Sequence, residues 1–124
     1  MAEYTSEIKK QLREWSTEAY RREMERELKA LEKEISMWRR GRISSEELSH
    51  RIHAFDSGPR KALSKQYDYG QTDANVAFAV IAGILKTREL PDELLEAIES
   101  TLDAYRKMKE KGKLSEREGQ WWSA

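Results

Sequence analysis

VAFAVIAGIL, Val76 to Leu85, is an unbroken apolar run of ten residues in a chain that is 37% charged. It is too short to span a bilayer, which takes about 20 residues, so it reads as the core element of a folded domain. A continuous apolar run carries no periodicity of its own, and its neighbours decide between helix and strand. Thr72 or Asp73 offers an N-cap, Ala74, Ala77, Ala79 and Ala82 favour helix, and no two-residue hairpin signal follows. A helix over Asp73 to Lys86 is therefore predicted, apolar nearly all round and contacted on most sides. Ala79 and Gly83 stand four apart, which predicts a notch for a neighbouring helix or a resting place for a small ligand.

The rest of the chain must cover that rod. At 124 residues it fits one domain that buries roughly two thirds of its unfolded surface. Mean hydropathy is −0.91 and 38% of residues are hydrophobic, a thin apolar supply that suggests sharing buried area with a partner. Only two prolines and six glycines occur, which favours helix throughout. The expectation is an all-α bundle of about five helices in a single domain spanning 1–124: a long amphipathic helix over 5–40, a compact helical core over 44–112, and a tail over 113–124.

From Thr5 to Arg40 there is neither Gly nor Pro. Ile8, Leu12, Trp15, Ala19/Tyr20, Met24, Leu28, Leu31, Ile35 and Trp38 recur at steps of three and four, with one slip near Tyr20. Thirty-six residues make about 54 Å of helix, against about 36 Å for the diameter of a compact chain this long. Such a helix overhangs its own domain. Either it breaks between Thr17 and Tyr20, or its stripe packs on a second chain as a coiled-coil-like homodimer. Trp15, Met24, Leu28, Leu31 and Trp38 are then the partner-binding candidates.

Gly41 ends the first helix. Ser44 and Glu47 read as a capping box, with Ile43 and Leu48 as its hydrophobic staple. A second helix over Ser45 to Phe55 is expected to bury Leu48, Ile52 and Phe55. Ser57-Gly58-Pro59 reads as a break, with Pro59 opening a third helix to about Gln66, and Tyr67 to Gly70 as a turn. After a linker at Lys86 to Glu89, Pro91 opens a last helix to Gly112, acidic at its start and basic at its end as the helix dipole favours. Gly112 to Glu118 repeats the Gly41 to Glu47 pattern of helix stop and start. Trp121 and Trp122 close the chain as a further pair of partner-binding candidates, docked on the domain or open to a partner.

Basic and acidic residues balance at 23 each, so no charged face announces nucleic acid or a basic partner. Arg39, Arg40 and Arg42, and Arg60, Lys61 and Lys65, form two small basic clusters beside aromatics that keep nucleic-acid binding as an alternative. The absence of cysteine removes thiol chemistry and Cys-ligated metals. The N-terminus lacks the apolar segment of a signal peptide, pointing to the cytoplasm. Glu46, Glu47, His50 and His53 form the metal-binding candidate: Glu47 and His50 carry the Glu-x-x-His spacing of di-iron bundles, but in one copy where two are needed. Helical phase also sets Glu46, His50 and His53 opposite Leu48, Ile52 and Phe55, on the solvent side. The Gly41 to Glu47 segment has the glycine and glutamate of an EF-hand loop, but Trp38 and Arg40 stand where carboxylates are required. No phosphate loop, nucleophile elbow or His-Glu-x-x-His is present. The sequence thus points to a non-catalytic, cofactor-free, self-associating interaction or adaptor module.

Overall fold

A computed structural model describes residues 4–114, and the elements are all helical. They run α1 (Ser6–Arg39), α2 (Ser45–Phe55), a π-helical turn (Asp56–Arg60), α3 (Lys61–Tyr69), α4 (Thr72–Ile81), a 3-10 turn (Thr87–Glu89), α5 (Asp92–Ala97) and α6 (Glu99–Glu110). The all-α bundle expected from the sequence is what the chain forms, with α1 as its long first helix.

α4 is the rod around which the rest packs. Six successive residues, Asn75 to Val80, are buried, as an all-round apolar helix requires. They join Ile8, Leu12 and Ala19 of α1, Ile84, Leu85 and Leu90 of the following loop, and Leu94, Ile98 and Leu102 of α5 and α6. The helix is shorter than predicted. It starts behind Gln71, which makes no side-chain cap, while Asp73 accepts hydrogen bonds from the Ala74 amide (2.7 Å) and the Tyr4 hydroxyl (2.8 Å). It stops at Gly83, whose φ of 82° lies in the left-handed region. Ile84 N–H donates to Ala79 O and Gly83 N–H to Val80 O, the paired bonds of a Schellman end. A Cβ at Gly83 would meet nothing nearer than Lys86 Nζ at 3.8 Å. Gly83 is thus a helix terminator, and the expected notch of Ala79 and Gly83 does not form. Gly41 ends α1 with the same two bonds.

α1 is unbroken for 34 residues, about 51 Å, so the break considered near Thr17 to Tyr20 does not occur. Its first half lies in the core. Its second half is flanked by α2, the π turn and α3, which run back along it. Leu48, Phe55 and Leu63 are the buried apolar side chains of that flank.

α2 has the bounds read from the sequence, with Ser44 Oγ accepting from Glu47 N–H at 3.0 Å. The Glu47 carboxylate is taken by Arg51 at 2.9 Å rather than serving a full capping box. The expected break at Ser57-Gly58-Pro59 is absent. Phe55, Lys61 and the residue before it keep right-handed helical angles, and the missing Pro59 N–H is absorbed in one π turn, a common device for a helix that bends without ending. The single last helix expected from Pro91 to Gly112 is divided at Ile98 (φ −107°, ψ 16°) into α5 and α6, where the fully buried Ile98 side chain reaches the core. Among the described residues no helix is long and apolar enough to cross a membrane.

Candidate functional site: an apolar helical face

The residues that α1 buries are not the ones its stripe names. The buried line is Ile8, Leu12, Ser16, Ala19, Glu23, Glu27 and Glu34. At 3.6 residues per turn, the apolar residues past Tyr20 lie about 100° round the helix from that line. The slip in the stripe is therefore real, but the helix answers it with continued winding. The fully buried positions beyond Ala19 are glutamates, and Met24, Leu28, Leu31, Ile35 and Trp38 turn to the flank.

Polar partners hold the inward glutamates. Tyr67 Oη donates to Glu23 at 2.5 Å, its ring packs on Tyr20 with centroids 5.4 Å apart, and the Tyr20 hydroxyl lies 3.4 Å from Ser64 Oγ. Arg51 of α2 donates to both Glu34 and Glu47, and these bonds raise its pKa, the Glu47 bond most. At the level where α1 leaves the core, Arg22 donates to Glu18 at 2.6 Å, to both Glu89 oxygens at 2.7 and 2.9 Å, and to the Ile84 carbonyl at 2.9 Å. Arg21 first and Arg22 second hold Glu18 at about 2. Arg22, then the Lys86 amide, hold Glu89 at about 2.

On the flank, Leu28 is 49% exposed and Trp38 41% exposed, with Leu31 and Ile35 half-buried between them and Met24 half-buried one turn before Leu28. Ile52 of α2, expected inside, is 43% exposed; Arg51, one residue earlier, takes the inward position to reach Glu34. Ser45 and Ile52 are two turns apart on one edge of α2, and Ser45 Oγ accepts from Trp38 Nε1 at 3.0 Å. Ile52 therefore borders the α1 stripe, and the apolar face belongs to both helices. It is about 21 Å long from Met24 to Trp38 and two helices, about 20 Å, wide.

The other sequence candidates fall elsewhere. Trp15 is half-buried against the α4 core. Glu46, His50 and His53 are exposed, and Glu47 is engaged by Arg51. Among the described residues no three His, Asp or Glu side chains group closely enough to hold a metal ion. Arg39, Arg40 and Arg42 are exposed beyond one end of α2, and Arg60, paired with Asp56, lies beyond the other; about 16 Å of helix separates the clusters. Trp121 and Trp122, and the repeat of the Ser44 pattern at Ser115, lie outside the described residues.

A second concavity was not legible in the sequence. A groove of about 470 Å³ is bounded by Gln66 and Tyr69 of α3, Asn75 and Phe78 of α4, and Tyr105 and Met108 of α6. Tyr69 is 85% exposed and Met108 39% exposed. Phe78 meets Tyr105 edge-on with centroids 6.1 Å apart. The consecutive helices α3 and α4 build it together with α6, which is distant from them in sequence, so no local pattern announces it. No family model, curated protein or solved structure matches the chain.

Proposed function

We propose that this protein is a non-catalytic interaction module that self-associates as a homodimer through the α1–α2 face. The observation that carries the reading is the exchange of faces along α1. Glutamates occupy the inward positions while Leu28, Trp38 and, across the hairpin, Ile52 are left toward solvent. Folding of one chain gains nothing from that arrangement, since an apolar residue at Glu34 would bury without a counter-charge. An apolar face beside a well-covered core instead favours a partner, and a second hairpin laid on the first completes a four-helix arrangement. The absence of cysteine suits a reducing compartment, and the reading places the module in the cytoplasm.

The test is the mass in solution of the wild-type protein and of the Leu28→Glu/Ile52→Glu variant, by light scattering coupled to gel filtration over a wide concentration range. The wild type is expected as a dimer. The variant is expected as a monomer that keeps its helical circular dichroism, because both sites are near half-exposed in the protomer, and its melting temperature loses the dependence on protein concentration that a dimer confers. A wild-type monomer throughout, or a variant dimer, overturns the proposal.

A further inference from the structure

The α3–α4–α6 groove is a second surface, independent of the face assigned to self-association. Among the described residues its lining is aromatic and amide-rich, with one cation, Lys65, and no carboxylate. Such a lining fits an aromatic anchor preceded by acidic residues. Indole N–H donates to amide oxygens such as those of Gln66 and Gln71, and an indole face attracts a lysine ammonium. Thioethers such as that of Met108 favour aromatic edges.

The chain itself carries a segment of that chemistry. Leu114, where the described residues end, packs against the core and lines the groove. Beyond it the sequence reads Ser115-Glu-Arg-Glu118-Gly-Gln-Trp121-Trp122. Trp121 is seven residues on, within about 25 Å of Leu114 at full extension, enough to return into a groove the chain has already reached. We infer that the groove between α3, α4 and α6 is the receptor for the Trp121-Trp122 segment of the same chain. Lys65 offers a counter-charge to an acidic run, and Tyr69, Tyr105 and Met108 offer apolar surface to indole rings.

The test reads the two tail tryptophans alone, in a full-length Trp15→Phe/Trp38→Phe background whose folding is checked by circular dichroism. Emission and acrylamide quenching are compared with a peptide of residues 113–124. The expected result is blue-shifted emission and protection from quencher at all protein concentrations. Lys65→Glu, at an exposed site that leaves the fold intact, is expected to raise quenching about threefold, the scale of one exposed cation–π contact. Met108→Glu is expected to abolish protection. Emission like that of the peptide, protection that survives both groove variants, or protection that vanishes on dilution and so comes from a second copy, each overturns the inference.

Discussion

Arg51→Met isolates the charge pairing between α1 and α2. Glu34 is 3% exposed, and Arg51 is the residue of α2 that reaches it, with a side chain 20% accessible. Removing the guanidinium leaves a carboxylate enclosed between two helices without its charged partner. Breaking a buried pair this way costs about 3–5 kcal/mol; partial access of water at Arg51 argues for the lower end, about 3 kcal/mol. Against a typical domain stability of about 5–15 kcal/mol, that is a large fraction. For a chain between the small and large domain classes it lowers the melting temperature by roughly 10–15 °C. The double variant Glu34→Leu/Arg51→Met removes both charges and fills the space with apolar atoms, and is expected within about 1 kcal/mol of wild type or above it. Urea denaturation followed by circular dichroism, with thermal melts alongside, measures all three proteins. If the single substitution costs under about 1 kcal/mol, or if the double variant is no better than the single, the inward glutamates are not held by this pairing and the account of α1 is wrong.

Other substitutions probe other links. Gly83→Ala forces a left-handed residue at the end of the core helix and is expected to cost about 1–2 kcal/mol in denaturant titrations. Glu18 and Glu89 are held at about 2 in the folded chain, against an ordinary 4.5. Their depressed values add stability that is present above pH 4.5 and is lost as pH falls toward 2. Arg22→Gln should flatten that acid limb of the stability profile, seen as a smaller difference from wild type at pH 2.5 than at pH 7. The Tyr4 hydroxyl is pushed up to about 12, by burial first and then by Asp73. Its contribution is complete below pH 10 and is lost as pH rises toward 12. Spectrophotometric titration of the wild type and of Tyr4→Phe should therefore differ by one phenol ionising near pH 12.

Where the sequence was read correctly, the deciding residues act locally. Gly41 and Ser44 stop one helix and start the next by backbone geometry and a single side-chain bond, and Val76 to Val80 are apolar at every phase, so any packing buries them. The errors come from residues whose role depends on a distant partner. Periodicity shows that Leu28, Leu31, Ile35 and Trp38 share a face, but not where α2 lies relative to it. Apolar character alone puts Ile52 inside, whereas Arg51 goes inside because Glu34, seventeen residues earlier, is there. Pro59 ordinarily ends a helix, and only the packing of α2 and α3 along one side of α1 makes a bent continuous rod the better solution. The groove at Tyr69 and Tyr105 depends on the α3–α4 turn. There a Cβ at Gly70 would stand 2.3 Å from the Gln66 carbonyl, a closeness no pattern of residue types displays.

The uninterrupted α1 has a mechanical consequence. A helix yields sharply at prolines, glycine pairs or inserted turns, and none occurs between Ser6 and Arg39. The same rod is keel to the α4 compartment and outrigger to the α2 hairpin, clamped where Arg22 grips the loop after α4. A load at the Trp38 end has no joint in which to dissipate, so it is delivered as leverage to the half of α1 that packs on α4. Whatever takes hold of the far end thereby pulls on the heart of the molecule.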